Sequence, residues 1–139
     1  MKGLGDAATV RMRIRALIGV LALLCEPVSV SVAETVTISM NDRAFHPQRV
    51  VVKAGDTVKW ENNDTEIHNV VSGATLYDPN LGHPMMSGVV MWNSTYAFTF
   101  AEPGSYRYLC FIHTSMEGQT GVKGMVGEVI VTDGAESPR

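Results

Sequence analysis

The amino-acid sequence predicts an all-β fold, a β-sandwich in a single domain. Short runs in which polar and apolar residues alternate recur along the chain, and turn-forming residues separate these runs. Beyond residue 33, no segment of the sequence shows the 3.6-residue periodicity of an amphipathic helix. Roughly six to eight short strands in a chain of this length are typical of a sandwich of two sheets.

Residues 1–33 are predicted to be a signal peptide rather than part of the fold. Three arginines precede an unbroken apolar run at residues 16–25, which is too short to be a stable transmembrane anchor. Ser31 and Ala33 then place small residues at the two positions that a signal peptidase reads, so we expect cleavage after Ala33. The sequence therefore predicts an exported, periplasmic protein.

Export changes how the two cysteines are interpreted. Cleavage removes Cys25 and leaves Cys110 as the only cysteine, so the mature chain has no internal disulfide. A lone thiol in an oxidising compartment is exposed to oxidation, and a bond between the thiolate and a metal ion would prevent this. The alternative is an inert thiol buried in the core. The leader has four basic and two acidic residues, so its removal changes the formal net charge from −3 to −5. No basic cluster indicates nucleic acid as a partner.

The first three strands are predicted from alternation and β-branching. Residues 35–40 alternate polar and apolar side chains, residues 49–53 form a β-branched run, and residues 57–61 alternate again. The turn-forming residues at 54–56 and 62–64 end the second and third of these strands.

The second half of the chain contains one long irregular region and three further strands. Residues 72–90 are rich in Gly, Pro and Asn and indicate loop structure. The remaining predicted strands are residues 95–100, 106–110 and 125–132, with a turn at 102–104 and a polar tail at 133–139. The domain is thus expected to comprise residues 34–132.

The candidate site begins with Cys110 and His113. Tyr106, Tyr108 and Cys110 alternate along one predicted strand, so all three side chains point to the same face. Cys110 is predicted to end that strand, and His113 follows three residues later, where we expect the chain to turn. A thiolate and an imidazole this close can share a metal ion.

His68 is the third candidate ligand, because strand ends converge at one pole of a sandwich. Two imidazoles and one thiolate form a trigonal set, which suits copper when a weak axial thioether completes it. Met116 and Met125 both follow His113 and are both candidates for that axial position.

Six short motifs also stand in a fixed order through most of the mature chain. They are Phe45-x-Pro47, Val52-x-Ala54-Gly55-Asp56-Thr57-Val58-x-Trp60-x-Asn62, His68-Asn69-Val70, Pro103-Gly104-x-Tyr106, Cys110-x-x-His113 and Met125-Val126-Gly127. Together they resemble the plastocyanin family of type I blue copper proteins, which includes amicyanins and pseudoazurins. The resemblance implies a cupredoxin-like Greek-key sandwich that binds one copper ion, transfers single electrons and is not an enzyme.

The resemblance also implies roles for individual residues. It maps the copper ligands to His68, Cys110 and His113, with His113 nearest the solvent, and it matches Asn69 to the asparagine that ties the two ligand loops together. It favours Met125 as the axial ligand, because this residue begins the last predicted strand. Met116 stands at the short amicyanin spacing after His113 and remains the alternative.

The expected partners are redox proteins, namely a dehydrogenase, a cytochrome c or an oxidase. We expect the carrier to be a monomer that does not span a membrane. An apolar patch of Thr114, Met116, Met85 and Met86 around His113 is expected to contact the partner.

Two other functions fit parts of the sequence. A copper carrier or storage protein would hold the same ion without cycling it, and only His83 with the neighbouring Met85 and Met86 suggests such a role. A thiol hydrolase would use Cys110 as its nucleophile, but no oxyanion-hole motif accompanies it.

Overall fold

Eight β-strands and no helix form the part of the chain that the computed structural model describes, residues 32–134. The strands are β1 (Thr35–Asn41), β2 (Ala44–His46), β3 (Arg49–Lys53), β4 (Thr57–Asn62), β5 (Val71–Ser72), β6 (Thr95–Thr99), β7 (Gly104–Glu117) and β8 (Gly121–Thr132). The predicted signal peptide lies outside these residues except for its last two positions, and most of the predicted tail also lies outside them. Residues 32–134 contain no helix with the length and apolarity needed to cross a membrane.

The strands form two four-stranded sheets, with the orders β2-β1-β4-β6 and β3-β8-β7-β5. β1 runs parallel to β4 and β3 parallel to β8, whereas the other neighbouring pairs are antiparallel. Parallel neighbours require a crossover, so the chain passes repeatedly from one sheet to the other. The predicted all-β sandwich is confirmed.

The core contains side chains from the inner faces of both sheets. Along β4 every second residue is buried, which places Val58, Trp60 and Asn62 inside. Trp60 meets Tyr108 of β7 edge to face, with ring centroids 5.3 Å apart. Each such large side chain contributes roughly 1.5–3 kcal/mol to stability through its burial.

β7 and β8 differ from the sequence prediction, which placed a turn at His113. The paired strands instead continue past this residue to Glu117 and resume at Gly121, so the turn lies at residues 118–120. A bulge allows this continuation. Leu109 pairs with Val126 and Thr114 pairs with Gly124, which leaves four residues of β7 opposite a single residue of β8.

Residues 114–124 therefore form a β-hairpin, here called the arm, which extends the sheet beyond the bulge. Gly124 is required where the arm joins the bulge. Its φ of 115° favours glycine, and a Cβ at this position would overlap the backbone carbonyl of His113. The bulge thus brings β8 close to the segment that carries the candidate ligands.

Candidate metal centre

Three predicted ligands lie together at one end of the sandwich. The Sγ atom of Cys110 is 3.9 Å from Nδ1 of His68 and 3.5 Å from Nδ1 of His113. The two Nδ1 atoms are 3.1 Å apart. Within residues 32–134 this is the one group of at least three His, Cys, Asp or Glu side chains with metal-ligand spacing, and His83 is not part of it.

Backbone and side-chain hydrogen bonds hold the three residues from separate segments. His68 pairs with Val90 through two backbone hydrogen bonds, so its loop is attached to a second loop segment. The side-chain carbonyl of Asn69 accepts a 2.7 Å hydrogen bond from the backbone N–H of Phe111, the residue after Cys110. This contact confirms the predicted tie between the histidine loop and the cysteine segment.

The outer nitrogen of each imidazole faces a carboxylate. Nε2 of His68 lies 3.3 Å from Asp64, and Nε2 of His113 lies 3.0 Å from Glu66. Because an ionised carboxylate only accepts hydrogen bonds, the contact with Asp64 places the N–H of His68 at Nε2 and leaves a lone pair on its inward Nδ1. Glu66 lies beside Nε2 of His113 as a charged neighbour, which favours the proton on that outer nitrogen and a lone pair on the inward Nδ1.

Both carboxylates are held in the ionised form. The backbone N–H of Glu66 donates to Asp64 and is the main reason that the pKa of Asp64 is lowered. Hydrogen bonds from the Arg43 guanidinium are the main cause of the lowered pKa of Glu66. Neither acid was predicted as part of the site, although Asp64 stands four residues before His68, a spacing that is visible in the sequence.

The arrangement fits a bound metal ion. Two lone pairs and a sulfur atom point into one small space, where they would repel one another unless a cation lay between them. Ligand atoms that are each about 2.0–2.3 Å from a shared ion stand roughly 3–4 Å from one another, as these do. Two imidazoles and one thiolate with an adjacent thioether are the set that suits copper.

Met125, and not Met116, lies at this point of the fold. Met125 is the one β8 residue between the paired residues Gly124 and Val126, opposite the bulge of β7. Its side chain is 1% exposed and belongs to the same buried cluster as Cys110. Met116 pairs with Val122 on the arm and is half-buried. The structure thus brings one of the two candidate thioethers to the bulge.

Comparison with known proteins agrees with this geometry. Residues 14–122 match the cupredoxin-like domain family. The chain belongs to the cupredoxin family. It is 33% identical over 92 residues to amicyanin from Paracoccus versutus, covering 66% of this chain and 67% of that protein. It is 32% identical over 108 residues to plastocyanin from Synechococcus sp. (strain JA-2-3B'a(2-13)), covering 71% of this chain and 74% of that protein.

Solved structures show the same similarity. A reduced-state structure of an amicyanin variant superposes on this cupredoxin with a TM-score of 0.54 and 27% identity, covering 70% of this chain and 82% of that one. The family match includes His68, Cys110 and His113 and ends before Met125. This cupredoxin is a type I blue copper protein with copper as its cofactor, and it is not an enzyme.

The predicted apolar patch is partly wrong. Met85 is completely buried in the core cluster, and its backbone N–H donates to the Ser72 hydroxyl, so it cannot contact a partner. Met86 is exposed, and it forms an isolated β-bridge with Val71, three residues after His68.

Other apolar side chains are exposed beside the ligands. Phe111 and Ile112 separate Cys110 from His113, and Ile67 directly precedes His68. Alternation along a strand would place Ile112 on the same face as Cys110, so the exposure of Ile112 depends on the bulge and is not visible in the local sequence. The exposed apolar surface at this pole therefore includes Ile67, Phe111 and Ile112.

Proposed function

We propose that this cupredoxin carries single electrons between redox partners in the periplasm, with His68, Cys110 and His113 as strong copper ligands and Met125 as the weak axial ligand. The observation that carries the proposal is the convergence of the Cys110 Sγ and the two Nδ1 atoms within 3.9 Å of one another, with a carboxylate beside the outer nitrogen of each ring. Copper bound by this set supplies a one-electron Cu(I)/Cu(II) couple.

The chain contributes a site that resists rearrangement. Cys110 and His68 are completely buried, so water is excluded from their side of the site. The Asn69–Phe111 hydrogen bond and the His68–Val90 pairing hold the two ligand segments at fixed separation. Because the donors stand at ligand spacing in the protein itself, little reorganisation accompanies a change of oxidation state.

Partner contact is proposed at the pole that bears His113. Ile67, Phe111 and Ile112 offer a small apolar surface there, which suits brief contact rather than a lasting complex. The proposed partners are a dehydrogenase, a cytochrome c or an oxidase, and the carrier is proposed to be a monomer. A net charge of −5 on the mature chain would steer a basic partner toward it.

Export and cleavage after Ala33 remain part of the proposal, with a mature domain of residues 34–132. Glu34 is tied to the fold through its backbone, because its N–H donates to Asp56 and its carbonyl accepts from Thr57. Cleavage before Glu34 would keep these backbone atoms within the mature domain. Mass spectrometry of the exported protein would identify the mature terminus.

The hydrolase alternative is not compatible with the position of the thiol. Cys110 is 0% exposed and lies in the core cluster, so a substrate carbonyl has no access to its sulfur. A copper carrier or storage protein would use the same ligands but would release its ion, and this alternative is distinguished by experiment.

The test is voltammetry of the copper-loaded protein combined with its visible spectrum. We expect an intense charge-transfer band that ascorbate bleaches and reoxidation restores, with a reversible one-electron wave and no loss of copper over repeated cycles. Release of copper to a chelator on each reduction would favour the carrier function instead. Absence of the charge-transfer band from the copper-loaded protein would contradict the ligand set itself.

A further inference from the structure

His113 is largely covered, although it lies at the edge of the site. Only 14% of its side-chain surface is exposed, because Glu66 lies against its outer edge with Oε2 3.0 Å from Nε2. Its inner nitrogen faces His68 and Cys110. The inner nitrogen of the ring therefore faces the other two candidate ligands, and its outer nitrogen faces one carboxylate.

Glu66 is itself fixed by a second residue. Nε of Arg43 donates to Oε2 at 2.9 Å and Nη2 donates to Oε1 at 2.6 Å, so the guanidinium forms a bidentate pair with the carboxylate. Such two-point pairs fix orientation as well as charge. Arg43 occupies the tight turn between β1 and β2, where it and Asp42 both have positive φ, so its backbone is part of a hairpin.

The backbone of Glu66 is also restrained. Its carbonyl accepts a 2.8 Å hydrogen bond from the side-chain amide of Asn62, a buried residue that ends β4. The same amide group reaches the carbonyl of Val90, the pairing partner of His68. Glu66 is thus anchored to the sandwich at its main chain and to the β1–β2 turn at its side chain.

We propose that Glu66 is a positioning residue for the copper ligand His113, and that Arg43 holds Glu66 in the position this requires. The inference rests on the proposed function, since it assumes that His113 binds copper. The carboxylate, with its charge 3.0 Å from Nε2, attracts the Nε2 proton, which favours this ring orientation and makes the ligating Nδ1 more basic. A more basic imidazole favours Cu(II) over Cu(I), so Glu66 lowers the reduction potential of the site.

Three variants separate this contact from a general effect of charge. Glu66→Gln removes the charge and weakens the acceptor, whereas Glu66→Asp keeps the charge but is too short to reach both Arg43 and His113. Glu117→Gln removes one negative charge four residues beyond His113 on β7, from a side chain that pairs with Lys123 and not with the ligand. The measurements are the reduction potential and the NMR signal of the His113 Nε2 hydrogen in the diamagnetic Cu(I) protein.

We expect Glu66→Gln to reduce the affinity for Cu(II) relative to Cu(I) about tenfold, which raises the potential by about 59 mV for one electron. Glu66→Asp should shift the potential in the same direction, and both variants should lose the Nε2 hydrogen signal through exchange with water. Glu117→Gln should keep the signal and change the relative affinity less than about twofold, because exposed charges are screened by salt.

The proposal is overturned if Glu66→Asp matches the wild-type protein in potential and in the Nε2 hydrogen signal, since the effect would then be one of charge alone. It is equally overturned if Glu66→Gln and Glu117→Gln give the same shift. If Glu66→Gln does not fold, Glu66→Asp decides alone by the same two measurements. A wild-type protein without the charge-transfer band would instead contradict the copper ligands, a failure that is separate from any result at Glu66.

Discussion

Met125 lies across the β7–β8 pair from Cys110, as the single β8 residue that faces the four-residue stretch from Cys110 to His113. The neighbouring pairs, Leu109 with Val126 and Thr114 with Gly124, fix this placement by register. Met116 lies two residues beyond Thr114 on the arm, so the register carries it away from the bulge. The eleven residues between His113 and Met125 therefore do not move Met125 away from the ligands, because these residues form the arm.

The first prediction tests this assignment of the axial ligand. Met125→Gln should lower the reduction potential by at least about 59 mV, the equivalent of a tenfold change in relative affinity, because a harder oxygen donor favours Cu(II). Met116→Gln, the matched control on the arm, should change the potential much less. Voltammetry of both variants makes the comparison, and the reverse ranking would assign the axial position to Met116.

Much of the fold could be predicted because alternation and turn residues are local properties. The three strong ligand candidates could also be predicted, since His68, Cys110 and His113 stand at or near predicted strand ends. The continuation of β7 past His113 could not be predicted, because a bulge depends on the register of a partner strand and not on local sequence.

The side chains around the ligands were less predictable for a related reason. Met85 lies in an irregular segment without periodicity, so nothing in the sequence distinguishes its buried side chain from the exposed Met86 beside it. The contact between Glu66 and His113 joins residues far apart in the chain and depends on how two loops meet.

The second prediction concerns the thiolate. Cys110→Ser should abolish the intense charge-transfer band, because the copper–sulfur bond produces it. Placing a hydroxyl in the core cluster costs about 1–3 kcal/mol, less than the 5–15 kcal/mol of a typical domain, so the sandwich should remain folded. Visible absorption and circular dichroism measure the two effects. A band that survives this substitution would show that the thiolate is not a ligand.

The third prediction concerns the packing of Tyr108 against Gly127, its pairing partner on β8. A Cβ at position 127 would overlap the ring and hydroxyl of Tyr108, which is buried two residues before Cys110. Gly127→Ala should therefore reduce the free energy of unfolding by about 1–3 kcal/mol, as overpacking usually does.

A double-mutant cycle identifies the cause of that loss. In a Tyr108→Ala background, the added methyl group of Gly127→Ala has room, so its cost should fall below about 0.5 kcal/mol. Denaturant unfolding measures all four proteins. Equal costs in the two backgrounds would indicate backbone strain at position 127 rather than the clash with the ring.

The fourth prediction concerns the apolar surface beside His113. Ile112→Glu should slow electron self-exchange between two copies about tenfold or more, because like charges would meet at the contact and desolvation would cost more. Val51→Glu is the matched control: Val51 is an exposed apolar residue of β3 that pairs with Ile130, about 16 Å along β8 from Met125. NMR line broadening in mixed Cu(I) and Cu(II) samples gives the rates. Equal rates in the two variants would place the contact surface elsewhere.

The fifth prediction concerns the buried carboxylate of Asp56, at the turn between β3 and β4. Backbone N–H groups of Glu34 and Lys53 donate to its two oxygens, at 2.8 and 2.7 Å, and these hydrogen bonds lower its pKa. A lowered pKa in the folded protein means that Asp56 stabilises the fold at any pH above its unfolded pKa, about 3.9. That contribution is lost as the pH falls from this value through the folded pKa.

Asp56→Asn should therefore reduce the free energy of unfolding by about 1–2 kcal/mol at neutral pH, since an amide cannot accept both hydrogen bonds as a charged group. The difference between the wild-type protein and the variant should stay constant down to about pH 5 and then shrink as the pH falls below about 4. Acid release of copper affects both proteins alike, so the difference between their unfolding free energies isolates Asp56. A difference that persists unchanged to pH 2 would mean that the carboxylate charge contributes nothing and that only the shape of the turn matters.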